Sequence, residues 1–126
     1  MYSFSQRSKD RLKGVHPDMV KVMQEAIKES PLDFGITEGL RTLERQKELF
    51  EAGKSQTMNS RHLKGFAVDI AVFEDGKLTW EFPKYKIVAD HIKKVAKDLG
   101  IPIVWGGDWI SFKDGPHFEL NRSKYA

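Results

Sequence analysis

Residues Phe66 to Phe73 alternate at the two-residue period of a β-strand and run directly into Glu74-Asp75-Gly76-Lys77. An Asp-Gly pair between two apolar stretches suits a two-residue hairpin turn, because both central residues must accept a positive φ. The chain is therefore turned back toward Leu78 and Trp80. Whatever else it forms must accommodate an antiparallel sheet. Short strands are also expected at Phe34 to Thr37, Ile103 to Trp105 and Pro116 to Leu120.

The helical period occurs in two strong segments. His16-Pro17-Asp18 starts the first, with Pro in the first turn. Val20, Met23, Ala26 and Ile27 give it an apolar stripe before Ser30-Pro31 ends it. Pro83 precedes the second, where Val88, Ile92, Val95 and Leu99 share a face and Gly100 supplies the stop. Thr42 is placed to cap a third helix that ends at Ala52-Gly53, and the polar residues 54–65 read as loop. Helices come mostly first and strands mostly later, with hairpin-type links, which predicts an α+β fold with a small antiparallel sheet. The 126 residues match one domain, 1–126, and a 40% hydrophobic content with eight Phe and three Trp supplies its core.

There is no cysteine, so disulfides, thiolate metal sites and a cysteine nucleophile are excluded, and any metal site must use His and carboxylates. Two segments concentrate such residues. The first is Ser60-Arg-His62-Leu-Lys-Gly65-Phe-Ala67-Val-Asp69; the second runs from Trp105-Gly-Gly-Asp108-Trp109 to Asp114-Gly-Pro-His117-Phe-Glu119-Leu120. Zinc accepts neutral imidazole nitrogen and carboxylate oxygen, and a catalytic site uses three protein ligands with one position left for water. His62 and Asp69 are not the i, i+4 pair of a helical zinc protease. One would sit in a loop and the other on the strand that follows, with Gly65 allowing the turn and small Ala67 leaving room beside the metal. His117 would supply a third ligand from another strand. His16, before a helix-starting Pro, and His91, within a helix, read as structural. No Gly-x-Ser-x-Gly is present, so nothing suggests a serine nucleophile.

The pattern Ser-x-His-x-x-Gly-x-Ala-x-Asp, with a distant Asp-x-x-His, resembles the zinc D-Ala-D-Ala carboxypeptidase and L-alanyl-D-glutamate peptidase family, whose fold is shared with the hedgehog signalling domain. The likeness continues through Gly14-Val-His-Pro-Asp18, Asp33-Phe34, Thr37-Glu-Gly-Leu-Arg41-Thr42 and Met58-Asn-Ser-Arg-His62. It is similar in particular to short phage and prophage endolysins. The resemblance implies a zinc-dependent endopeptidase that hydrolyses the L-Ala–D-Glu bond of the peptidoglycan stem. It implies His62, Asp69 and His117 as zinc ligands, Asp114 as general base, Arg41 as stabiliser of charge on the substrate carbonyl, and Ser60 as a substrate contact. Glu119, which shares a strand face with His117, is the rival base, and its preferred reading is a carboxylate that faces solvent or supports a ligand from behind. Trp105 and Trp109 are expected to line a substrate groove, one of them also serving as core, and Asp108 is expected to orient a ligating His.

Three other functions compete. A D,D-carboxypeptidase would share every ligand and differ only in pocket shape; the short stretch between Trp109 and His117 offers little chain to close such a pocket. A non-catalytic zinc domain would need neither Asp114 nor Arg41. A nucleic-acid binder finds no motif, and Lys93, Lys94 and Lys97 read as the solvated face of a helix. The net charge of +3 suits an anionic envelope substrate but does not select it. The start of the sequence lacks the apolar stretch of a secretory signal. The expectation is therefore a monomer held in the host bacterial cytoplasm until a separate holin admits it to the wall.

Overall fold

The structure, a computed structural model, describes residues 2–54, 60–110 and 113–125. Its sheet is centred on β2 (Ala67–Glu74). β1 (Asp33–Glu38) pairs along one edge of β2, while β5 (His117–Leu120) and β3 (Lys77–Thr79) share the other, and β4 (Ile103–Trp105) lies beyond β5. Every ladder is antiparallel. The hairpin has the expected two-residue turn: Glu74 pairs with Lys77, and Asp75 and Gly76 take φ of 53° and 77°.

Alternation on β2 divides the sheet into two faces. Val68, Ile70 and Val72 point to one side, joined by Phe34, Ile36, Phe118 and Leu120 in a single core. Two helices cover that face, α2 (Pro17–Lys28) and α4 (Phe82–Leu99). They contribute Met19, Val22, Met23, Ala26 and Ile27 from the first, and Val88, Ala89 and Ile92 from the second. Gly100 ends α4 at φ 73°, as the sequence predicts. His91 accepts its structural role by reaching the Ala26 carbonyl at the end of α2 (2.8 Å), and His16 caps α2 by accepting from the Asp18 amide (3.0 Å). Ala67, Asp69 and Ala71 face the other way, and so do His117 and Glu119.

Two elements depart from the sequence expectation. α1 (Gln6–Arg11) is an additional helix that carries no apolar stripe, capped by the Ser5 hydroxyl. It serves the exposed edge of β1, where the Ile36 amide donates to Ser8 Oγ (3.0 Å) and Arg11 donates to the Ile36 carbonyl (3.1 Å). Within residues 54–65, read as loop, Arg61–Lys64 form one turn of 3-10 helix. Thr42 caps α3 (Leu43–Glu51) as expected.

Candidate metal centre

The sheet places acidic and imidazole side chains in a row across its open face. Asp69 is directly opposite His117 on β5. On its other side the β1 ladder slips by one residue after Ile36, so that Glu38, rather than Thr37, stands opposite Asp69. His62 arrives from the 3-10 turn. Ser60 shapes that turn, its hydroxyl accepting from the His62 amide (3.2 Å), and Gly65 closes it at φ 73°. A side chain at Gly65 would also lie 2.6 Å from the Gly14 carbonyl, so only glycine fits. Met58 and Asn59 of the sequence motif lie outside the described residues.

His62 Nε2 lies 3.2 Å and His117 Nδ1 3.1 Å from the same oxygen, Asp69 Oδ1. One ligand atom from each of the three residues lies within 4.8 Å of the others, so together they can hold one metal ion. Their hydrogen-bond partners test that fit. His62 Nδ1–H donates to the Gly39 carbonyl (2.9 Å), and His117 Nε2–H donates to Glu119 Oε1 (2.9 Å). Both partners are acceptors only, so in the neutral rings the lone pairs belong to the nitrogens that face Asp69. Two lone pairs and a carboxylate oxygen thus converge, an arrangement that calls for a cation between them. The outward bonds are those that orient ligating imidazoles in metal sites.

Electrostatics agree. Burial alone would raise the Asp69 carboxyl, but the facing imidazoles of His117 and His62 outweigh it and hold the group well below the ordinary carboxylate range. Burial works against charge on His117, yet its bonds to Asp69 and Glu119 push its pKa up to about 9. Without an ion, a proton therefore supplies part of the missing positive charge.

Arg41 is buried and clamped. Its guanidinium donates to both Glu38 oxygens (2.7 and 2.5 Å) and to Gln46 (2.7 Å), and Nη2 stands 3.7 Å from Asp69 Oδ2. The bridge to Glu38 therefore holds the cation at the site rather than drawing it away. Asp114 precedes the turn into β5, and burial, then the charge of Asp69, raises its pKa. Gly106 makes its position possible: a Cβ there would fall 2.4 Å from the Asp114 carbonyl and 3.1 Å from the Cβ atoms of both Asp114 and His117. The Trp109 ring lies 5.2 Å from that of His117.

Two assignments change. Trp105 is only 2% exposed, its indole N–H donating to the Gly115 carbonyl (2.7 Å), so it is core and lines no groove. Asp108 orients no histidine; it pairs with Lys93 (2.5 Å), and Glu119 and the Gly39 carbonyl do the orienting. Glu119 itself is buried, bonded through Oε1 to His117, while Oε2 accepts from Arg122 (3.2 Å) and lies 3.6 Å from Arg61. That places it behind the histidine, on the side away from Asp69. Glu38 and Gly39 were not anticipated as parts of the site, because their placement depends on the slip in the β1 ladder.

Fold and site together define an α+β protein built around a candidate mononuclear metal centre. The chain belongs to the phage L-alanyl-D-glutamate peptidase family, whose family model matches residues 1–122. It is 31% identical over 128 residues to the L-alanyl-D-glutamate peptidase of Escherichia phage T5, covering 98% of this chain and 93% of that one. It is 34% identical over 125 residues to the peptidoglycan L-alanyl-D-glutamate endopeptidase CwlK of Bacillus subtilis (strain 168), covering 84% and 73%. Among solved structures, the Serratia marcescens L-Ala D-Glu endopeptidase ChiX superposes with a TM-score of 0.92 at 44% identity, over 98% of this chain and 92% of ChiX. The vancomycin resistance D,D-dipeptidase VanXYg shares the fold, with a TM-score of 0.53 at 14% identity over 84% of this chain and 50% of that one.

Proposed function

We propose that the protein is a zinc-dependent endopeptidase that hydrolyses the L-Ala–D-Glu bond of peptidoglycan stem peptides. The observation that carries this reading is the convergence of His62, Asp69 and His117, with both imidazole protons committed to acceptors on the far side. Membership of the family and the 44% identity to ChiX support the choice of bond. Zinc suits the donor set, two imidazoles and one carboxylate, with no soft thiolate ligand available.

When bound, the ion would polarise the scissile carbonyl and lower the pKa of the attacking water. The remaining work falls to side chains. Asp114, next to the ligands and with its pKa raised by burial, takes the proton from the attacking water and delivers it to the leaving amine. Arg41, fixed by Glu38 and Gln46, presents a cation where negative charge grows on the carbonyl oxygen. Ser60, whose Oγ lies 3.5 Å from Arg41 Nη1, and Trp109, beside His117, border the reacting bond and hold the peptide.

Purified peptidoglycan digested by the enzyme should yield new N-terminal Glu amines with L-Ala retained on the glycan. Mass spectrometry should find these products abolished by a chelator and restored by zinc. Release of free D-Ala without new Glu amines would establish carboxypeptidase action instead. No helix among the described residues is long and apolar enough to cross a membrane. The phage character of the family supports action at the wall, reached through a separate holin. Expression alone should then leave host cells intact and co-expression with a holin should lyse them; lysis without the holin would remove that partner from the scheme.

A further inference from the structure

An aromatic platform borders the Asp114 turn and belongs to none of the groups assigned above. Trp80 is 62% exposed, yet its ring stacks on Tyr85 with centroids 6.0 Å apart and planes within 8°. The indole is therefore backed by a buried ring while most of the residue stays exposed. Tyr85 is fixed in turn, because its hydroxyl accepts from the Val72 amide (3.4 Å). Beside it, Phe82 is 40% exposed and stacks on Trp105 at 5.4 Å. Phe82 and Tyr85 both flank Gly115, approaching the position of a Cβ there to 3.6 and 3.5 Å. Gly115 immediately follows Asp114, so the platform begins one residue from the candidate base.

Its place just after β3 sets its approximate distance from the metal ligands. Val72 pairs with Thr79, so Trp80 is the next residue along toward the Ala71 and Asp69 end of β2. Asp69 is then about 7 Å away along the strand and about 5 Å across to the neighbouring strand position. Leu78, 50% exposed, stands opposite Phe73 on the face that carries Asp69. Exposed apolar residues scattered singly need no explanation, but Leu78, Trp80 and Phe82 are exposed within one short stretch of chain, and the central indole is backed by a buried ring.

We propose that this platform, with Trp80 at its centre, binds the N-acetylmuramic acid ring of the substrate glycan. The inference rests on the proposed L-Ala–D-Glu specificity. In peptidoglycan the L-Ala nitrogen is joined through one lactyl group to the muramic acid ring. A single residue therefore separates the scissile bond from the sugar, and the sugar must lie against the protein within about that span. Of the two halves of the substrate, the stem peptide beyond D-Glu carries carboxylates, whereas the hexosamine ring presents a neutral face of C–H groups. Such a face matches the electron-rich face of an indole, and a flat, immobilised ring meets it with little ordering cost.

The test compares cleavage of the disaccharide tripeptide with cleavage of the same tripeptide lacking its sugars. Wild-type enzyme should prefer the glycosylated substrate, chiefly through KM. Trp80→Ala should reduce that preference by about three- to tenfold, the size of one aromatic contact, and Trp80→Phe should keep most of it. Ile87→Ala, exposed on α4 but outside the platform, should leave the ratio alone. A Trp80→Ala enzyme with an unchanged ratio, or with equal losses on both substrates, would overturn the proposal. So would loss of self-association in Trp80→Ala with the ratio preserved, which would assign the surface to a second copy. Peptide-free glycan oligomers should also shift the Trp80 indole resonance in an NMR titration. If wild-type enzyme cleaved neither substrate, the bond assignment would fail, and the indole shift would decide the sugar site by itself: present, it upholds the site; absent, it refutes it.

Discussion

Asp114 and Glu119 lie three residues before and two residues after the same ligand, and their surroundings assign them different work. Glu119 is spoken for: His117 Nε2–H and Arg122 donate to it, with Arg61 close by. Burial would raise its pKa, but the bond from His117, reinforced by that residue's charge and by Arg122, lowers it, as suits a permanent anion that orients an imidazole. Among the described residues Asp114 has no such cluster of donors, and burial, then the negative Asp69, pushes its pKa up, as suits a group that must accept and release a proton. The two should fail differently. Asp114→Asn should retain zinc and fold while losing about a hundredfold or more in turnover. Glu119→Gln should lower zinc affinity about 10- to 100-fold and recover most turnover at saturating zinc. Zinc content after dialysis, read beside turnover at high zinc, separates these outcomes; the reverse ranking would hand the proton transfer to Glu119.

At the scale of elements, what could be read in the sequence is what local chemistry determines. α2 and α4 carry apolar stripes with a Pro start or a Gly stop, and the β2–β3 hairpin carries its Asp-Gly turn, so neighbouring residues suffice to specify them. α1 does not: its six residues are all polar, and its attachment comes from Ser8 and Arg11 bonding to Ile36, more than two dozen positions away. The slip in the β1 ladder is equally invisible, since it is a relation between two strands, yet it decides that Glu38 faces Asp69 and can hold Arg41. The three candidate ligands were legible because their chemistry and spacing form a recognisable pattern. The work of Glu119 was not, because residues i and i+2 on a strand share a face whether the second takes a proton from water or merely steadies the first. The two tryptophans near Gly106 show the same limit. The sequence expects one of them to be core without saying which, and only the packing of Trp105 against Phe82 and Gly107 shows that it is Trp105.

For the molecule as a whole, the candidate site ties together segments that are far apart in sequence: the Gly39 carbonyl, the turn at His62, Asp69 on β2, and His117 and Glu119 on β5. An ion bound there favours the folded chain over the unfolded one, in which these groups are dispersed. At a free zinc concentration a hundred times Kd, that linkage is worth about 2.7 kcal/mol. For a domain of this size the corresponding rise in Tm is roughly 10 °C. Removing the ion should not unfold the protein at room temperature, because the core on the α2 and α4 face is independent of it. In addition, His117, with its pKa near 9, carries a proton at neutral pH that balances Asp69 and Glu119. Chelator should therefore lower Tm by roughly 10 °C while leaving the circular dichroism spectrum at 25 °C unchanged, and added zinc should restore the transition. His62→Ala should lose the zinc-dependent part of the shift, since one of the three converging acceptors is gone. A wild-type Tm that is the same with chelator and with excess zinc would mean that no ion bridges these strands.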